Sequence, residues 1–253
     1  MKLLLLGGTA DARKIASVLT AAGIEVIYSI AGLVRKPEMH CAVLSGGFSK
    51  RGGLAAYMQT CNIDAILDAT HPYAIKMSSQ ALRVCNELAV KYWRFNRQPW
   101  QPREGDQWLS VANWQQLITS CSAYHQPFLT TGQLQQAQLD SIASNSEQVL
   151  YRTAAAAQAS LAANVKWLKA IGPFDLHSEL ALLDQYNIDV LICKNAGGIA
   201  TYAKLVAARH LQIPVIMLAR PAPIMQNTAD QFSCIETITQ AVIDRNESMK
   251  SCQ

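Results

Sequence analysis

The stretch KLLLLGGTADARKIASVLTAAGIEVIYS, residues 2–29, decides the fold. Leu3–Leu6 form a short apolar run without polar alternation, which reads as a strand buried on both faces. Gly7-Gly8-Thr9 breaks the run. Ile15, Val18, Leu19 and Ala22 then recur at i, i+3, i+4 and i+7, so one face of a helix packs on the sheet, and Gly23 ends that helix. A second apolar run, Glu25–Ser29, follows at once. Strand, glycine turn, amphipathic helix and strand make a βαβ unit, whose right-handed crossover leaves its two strands parallel.

The alternation continues outward from this unit. Further strands are predicted at Cys41–Leu44, Asp64–Asp68 and Lys91–Phe95, then at Pro127–Thr130, Gln148–Arg152, Val165–Ile171, Ile188–Cys193 and Pro214–Leu218. Helical stretches separate them, the clearest being Ile199–Leu211. Only the segment Gln98–Asp106 interrupts the pattern, because two prolines and a glycine can continue neither a helix nor a central strand. The expected architecture is therefore α/β, with two Rossmann-like domains, mainly parallel sheets and a central cleft. The predicted domains are 1–102, which binds a dinucleotide, and 103–253, which binds substrate.

Composition narrows the function classes. The 253 residues are 50% hydrophobic and 16% charged, a globular balance, and their length favours two modest domains. A net charge of +4, with 22 dispersed Lys and Arg residues, is too mild for a nucleic-acid footprint and suits a small anionic ligand. Lys2 and four leucines imitate a secretory signal, but Gly7-Gly8 cuts the run too short, and no apolar run reaches membrane-spanning length. Seven cysteines are scattered without a Cys-x-x-Cys pair or metal-ligand spacing. They read as free thiols filling the core of a cytoplasmic protein with no metal site.

The chemistry is written at the ends of the strands. Gly7-Gly8-Thr9, Ser29–Gly32, Gly46-Gly47, Thr70-His71-Pro72, Thr131-Gly132, Gly172-Pro173, Lys194–Gly198 and Arg220-Pro221 all fall at or just past carboxyl ends, the edge where open α/β sheets bind ligands. In the loop from Gly7 to Arg13, the glycines admit a pyrophosphate to the backbone while the new helix offers free N–H groups and its positive end. Thr9 stands at the second glycine of G-x-G-x-x-G and Ala12 at the third, so the loop equally suits a tight turn with an N-cap. The second strand ends in Ser29, with Arg35 and Lys36 nearby, and has no acid to hold a ribose 2′-hydroxyl. That combination favours NADPH, with NADH as the alternative donor. His71 titrates near neutrality and can donate a proton or hydrogen-bond the cofactor, or simply shape the turn before Pro72.

In the second half, Lys194 and Asn195 ahead of Gly197-Gly198 form a second anion-binding design, with Thr201 in the first helical turn. Arg152 and Arg220 present planar forks of donors that suit carboxylates, although a strand-end arginine also suits an ion pair.

Taken together, GGTADAR (7–13), SIAG (29–32), GGFSKRGGLAAYM (46–58), IDAILDATHPYA (63–74), RQPWQP (97–102), LTTG (129–132), GPF (172–174) and KNAGGIATYAKLVAARHLQIPVIMLARP (194–221) resemble the precorrin-6A reductase family, the corrin-ring reductases of cobalamin biosynthesis. The resemblance implies hydride transfer from NADPH, or NADH in the cobalt-containing route, to a ring carbon of precorrin-6A or cobalt-precorrin-6A, with protonation of the neighbouring carbon. It places the cofactor on Gly7, Gly8, Thr9, Ser29, Gly46, Gly47, Thr70 and His71; Arg13 and Arg35 are further cofactor-binding candidates, and His71 and Thr70 are the candidate catalytic groups. It places an anionic tetrapyrrole on Thr131, Gly132, Lys194, Asn195, Gly197, Gly198, Thr201 and Arg220. Neighbouring cobalamin-pathway enzymes are further candidate partners. The chain departs from the family pattern at Leu33, Gln133 and Ala196, where Arg, Arg and Ser are usual. Hydride transfer needs no protein nucleophile, only nicotinamide C4 held about 3–3.5 Å from the acceptor carbon in a dry site.

Two other functions share parts of this pattern. An S-adenosylmethionine-dependent tetrapyrrole methyltransferase would use a similar loop but place an acid where Ser29 stands. A non-catalytic dinucleotide-binding redox sensor would leave NADPH unoxidised. For the loop itself, Gly8→Asp is expected to abolish dinucleotide binding by crowding and charge while the fold survives. Titration of the variant with NADPH checks this, and an unchanged affinity contradicts it.

Overall fold

The computed structural model describes residues 1–32, 39–224 and 230–251. Among them the chain forms two compact units, residues 1–98 with 221–253 and residues 99–220, each built on a six-stranded sheet in which every pair is parallel.

The first unit begins as residues 2–29 require. Strand β1 (Lys2–Leu6) is fully covered from Leu3 to Leu6, each side chain 2% exposed or less, and each such leucine stabilises the unit by about 2 kcal/mol. Helix α1 (Ala10–Ala21) starts at Thr9, whose hydroxyl accepts from the Ala12 amide, and buries Ala12, Ile15, Ala16 and Leu19. Its end is a Schellman turn: Gly23, at φ +77°, donates to Thr20, and Ile24 donates to Leu19. Strand β2 (Glu25–Ile30) then pairs with β1, Leu5 opposite Tyr28 and Leu6 opposite Ser29. The unit continues through β3 (Ala42–Ser45), α2 (Leu54–Thr60), β4 (Ala65–Asp68), α3 (Ile75–Glu87) and β5 (Lys91–Phe95).

The second unit runs β6 (Trp108–Val111), α4 (Trp114–Cys121), β7 (Pro127–Leu129), α5 (Gln136–Ala143), β8 (Val149–Thr153), β9 (Val165–Lys169), α6 (Leu176–Gln185), β10 (Val190–Lys194), α7 (Ala203–His210) and β11 (Val215–Leu218). The chain then returns to the first unit for β12 (Gln231–Phe232) and α8 (Ile235–Ser251).

The first sheet is ordered β3-β2-β1-β4-β5-β12, and the second β9-β8-β7-β10-β11-β6. Each follows the Rossmann pattern, in which strand order reverses beside the first strand. That reversal falls between β1 and β4 in one unit and between β7 and β10 in the other. The edge strand beyond the fifth position comes from outside the consecutive run in both cases. In the second unit β6 precedes the run, and in the first β12 arrives after the other unit is complete.

The ten predicted strands all form, with ends displaced by no more than two residues. Three expectations are corrected. Strands β6 and β12 carry no readable apolar run: β6 has two exposed residues among its four, and β12 has only two residues. The predicted helix Ile199–Leu211 is a 3₁₀ turn at Ile199–Thr201 followed by α7, with Tyr202 capping the latter. Finally, residues 221–253 do not belong with 103–220. Ile238 and Val242 of α8 lie buried in the same cluster as Ala12, Ile15, Ala16 and Leu19 of α1, and Phe232 pairs with Phe95.

The fragment 1–102, which the prolines mark as a domain, is thus expected not to fold on its own, because it lacks its sixth strand and the helix against α1. Joining residues 1–98 to 221–253 through a short linker should restore a cooperative unit. Thermal denaturation followed by circular dichroism compares the two, and a cooperative transition in the bare 1–102 fragment contradicts the assignment.

Candidate functional site

In the first unit, the loop after β1 is shaped by a tyrosine on the neighbouring strand. A Cβ on Gly7 would stand 2.4 Å from the Tyr28 ring, so only glycine lets the backbone pass, and the Gly7 amide donates to the Ser29 carbonyl. The Tyr28 hydroxyl accepts from the Gly8 amide at 3.0 Å. Burial pushes this phenol up, while exposed Arg13 beside it acts in the opposite sense. Gly8 sits at φ +105°, and the space where its side chain would project is open. The Thr9 hydroxyl donates to Ala69 at 3.1 Å, which ties the start of α1 to the end of β4. As the first amides of α1, those of Ala10 and Asp11 have no intrahelical partner.

The neighbouring strand ends complete this edge. Ser29 is buried at the end of β2. Gly46, at φ +93°, donates its amide to Ile30, and Gly47 leads into a 3₁₀ turn at Phe48–Arg51. Arg35, expected near a 2′-phosphate, lies outside the described residues, as does Leu33.

Across the reversal point, the Asp-Ala-Thr-His-Pro block is locked from below. Asp68 is fully buried and pairs with Arg94 of β5 at 2.6 Å, accepts from the Tyr92 hydroxyl at 2.8 Å and accepts from the Thr70 amide at 3.0 Å. It anchors the loop backbone. Removing Arg94 from this pair would leave a buried carboxylate uncompensated, a loss of about 3–5 kcal/mol. The Thr70 hydroxyl accepts from Arg94 at 3.0 Å and shares a hydrogen bond with Ser78, which suits it to positioning rather than chemistry. The Tyr73 amide donates to His71 Nδ1 at 3.4 Å.

Thr9, Ala69, Thr70, Pro72, Phe95 and Arg97 line a hollow at this point. Arg97 was not singled out from the sequence. It follows β5 and pairs at 2.9 Å with Asp11 in the first turn of α1. The RQPWQP stretch quoted above was the only trace of it.

The second unit repeats the construction. Leu129 pairs with Tyr151 as Leu5 pairs with Tyr28. Three residues past each paired leucine stands a positive-φ glycine, Gly132 at +79° and Gly8 at +105°, with open space beside it. The Tyr151 hydroxyl donates to the Gly132 carbonyl and accepts from the Leu134 amide, both at 3.0 Å. Next to the glycine, Thr131 is 3% exposed and its hydroxyl has no partner. Gln133, where the family usually has Arg, donates to Ala156 and accepts from the Gln158 amide.

Beside this loop, across the strand reversal, comes the segment after β10. Burial pushes the Lys194 ammonium below the usual lysine range. Asn195 accepts from the Trp100 amide at 2.8 Å and donates to its carbonyl at 3.0 Å, while the Trp100 indole donates to Gly198. The RQPWQP and KNAGG stretches are thus bolted together, which explains why Pro99–Pro102 belongs to the second unit. Gly197 and Gly198, at φ +65° and +83°, carry the chain into the 3₁₀ turn that holds Thr201. Arg220 donates to the carbonyls of Asn195 and Ala196 and so shapes this loop.

One expected contact is corrected. Arg152, expected to hold a substrate carboxylate, is buried in a two-pronged ion pair with Glu179 of α6, at 2.5 and 3.2 Å. Its guanidinium stacks over Phe128 and Phe174, so both of its prongs are already engaged.

Among the described residues, no cluster of three or more His, Cys, Asp or Glu side chains could hold a metal ion, and no helix is long and apolar enough to cross a membrane.

Comparison with known proteins matches residues 2–242 to the family model "Precorrin-6x reductase CbiJ/CobK". The chain is 37% identical over 223 residues to the precorrin-6A reductase of Mycobacterium tuberculosis, covering 87% of this chain and 89% of that protein. It is 35% identical to the precorrin-6A reductase of Rhodococcus erythropolis over 226 residues, with 87% and 89% covered. A solved structure titled "CobK precorrin-6A reductase" superimposes with a TM-score of 0.86 at 31% identity, covering 96% of this chain and 97% of that one. With the parallel α/β sheets and the strand-end loops already placed, this chain belongs to the CbiJ/CobK precorrin-6x reductase family, oxidoreductases of cobalamin biosynthesis that act on a CH–CH group.

Proposed function

We propose that the protein reduces the macrocycle of precorrin-6A with NADPH in the cytoplasm, the first unit holding the dinucleotide and the second the tetrapyrrole. The observation that carries this division is the loop at each sheet's reversal point. Gly8 leaves open space beside the amides that start α1, which fits a pyrophosphate. The second unit sets Thr131, Gly132 and Lys194 at the equivalent place, which fits the carboxylates of an acidic ring.

The described end of β2 supports NADPH over NADH. Ser29 and the residues through Gly32 include no carboxylate, so nothing among them repels a 2′-phosphate or takes the ribose hydroxyl in the manner of an NAD site. A bound nicotinamide supplies the hydride. The chain's part is binding and positioning: Thr9 and Arg97 fix the start of α1, and Arg94 and Asp68 hold the Thr70-His71-Pro72 turn that carries His71 at the same edge. Lys194 offers a cation to the substrate.

Two measurements check this reading. Fluorescence titration is expected to give NADPH a dissociation constant about tenfold or more below that of NADH, and equal or tighter NADH binding contradicts the proposal. In steady-state assays with precorrin-6A, Lys194→Ala should raise the substrate KM about tenfold while NADPH affinity stays put. Equal losses for both ligands would move Lys194 to the nucleotide side. A wild-type protein that binds NADPH but oxidises none at saturating substrate is a sensor, not a reductase.

A further inference from the structure

Exposed apolar side chains gather at one place on the second unit. Val18, Leu109, Leu161 and Leu211 are exposed on separate parts of the chain, the ordinary scatter of a protein surface. Ile171 and Ile199 differ from these. Ile171 follows β9 and is 50% exposed, while Ile199 follows β10 and is 86% exposed, the most of any large hydrophobic residue among those described. Their loops are joined, because the Phe174 amide donates to the Ala200 carbonyl at 3.1 Å. The two run so close that a Cβ on Gly172 would stand 3.0 Å from the same carbonyl. Pro173, exposed as well, extends the apolar surface on the first loop.

Gly197 and Gly198, at φ +65° and +83°, turn the chain immediately ahead of Ile199, which opens the 3₁₀ turn. Its β-branched side chain has few rotamers and so offers a rigid apolar surface. Neither loop breaks that surface with charge: residues 171–174 and 195–202 include no Lys, Arg, Asp, Glu or His. A solvated turn gains nothing from such a side chain, whereas a ligand that covers it gains the free energy of its burial. An uncharged apolar patch has nothing to offer a phosphate or a carboxylate. It fits the broad face of a tetrapyrrole, whose acids lie at the ring edge and whose face is apolar, and it directly continues the loop assigned to that substrate above.

We propose that Ile199, with Ile171 on the joined loop, is a specificity-determining contact for the face of the macrocycle. The ring lies against these side chains, and their burial under it favours a tetrapyrrole over a smaller acid that carries the same charge. The assignment rests on the functional reading above and deepens it, adding an apolar surface to the polar groups already placed.

The test uses the full-length protein with Ile199→Ser and Ile199→Val. Ile199→Ser should raise the KM for precorrin-6A about tenfold with kcat little changed, and Ile199→Val, which keeps most of the apolar surface, no more than about threefold. The dissociation constant of NADPH should stay within about twofold, and the Tm should hold, since an exposed side chain has been changed. The KM penalty should also persist in high salt, because an apolar contact is not screened. A KM within about twofold of wild type in Ile199→Ser, a penalty that vanishes in high salt, or a lower Tm overturns the proposal. So does a wild-type dimer in gel filtration that Ile199→Ser converts to monomer, which assigns the patch to a second copy. Should the wild-type protein fail to oxidise NADPH with precorrin-6A, the functional reading falls separately. Direct binding of uroporphyrin, a polycarboxylate tetrapyrrole, then decides Ile199: a dissociation constant about tenfold weaker in Ile199→Ser sustains the contact, and equal affinity, or binding to neither protein, rejects it.

Discussion

A parallel sheet brings the carboxyl end of every strand to one edge, and a strand order that reverses leaves the loops on either side of the reversal pointing apart. Both sheets of this protein obey that constraint, and their chemistry follows from it. At β1 and β4 the gap falls between a glycine turn and the Thr-His-Pro block. At β7 and β10 it falls between Thr131-Gly132 and the lysine-asparagine loop. The side chains around each gap serve mainly to hold these loops. Tyr28 and Tyr151 brace the two positive-φ glycines, and Arg94 with Asp68 secures one far wall while Trp100 with Asn195 secures the other.

The matched use of tyrosine and glycine shows that the two units solve one problem with one device. A hydroxyl from the second strand reaches the loop after the first, replaces a partner the turning backbone would otherwise lack, and fixes the loop without filling the space above it. The units differ in what they add. The first places the start of α1 at once behind its glycines, whereas the second interposes Gln133–Gln135 before α5. An early helix start suits a phosphate, and a looser one suits a larger anion with several arms.

Much of this was legible in the sequence because buried parallel strands are written as unbroken apolar runs. Leu3–Leu6, Ala65–Asp68 and Val190–Cys193 are covered on both faces, and their positions and the polar clusters after them could be read directly. Edge strands leave no such signal: β6 keeps two of its four residues exposed, and β12 is too short. The return of the C-terminal segment was also hidden, since no local pattern in Ile235–Ser251 states which sheet it will cover. Partners across the fold were equally unreadable. Arg152 looks from sequence like a ligand for an anion until Glu179, 27 residues away, is found beside it. Lys204 looks like an ordinary helix lysine until it is found buried.

In the proposed reaction a nicotinamide held at the first gap delivers its hydride to the ring carbon of a tetrapyrrole. Isotope transfer tests it most directly. With NADPH carrying deuterium at C4 on one face, the reduced tetrapyrrole should acquire a single deuteron in the mass spectrum, and with the label on the opposite face it should acquire none. A product that gains no deuterium from either labelled donor would rule out hydride transfer from the nicotinamide.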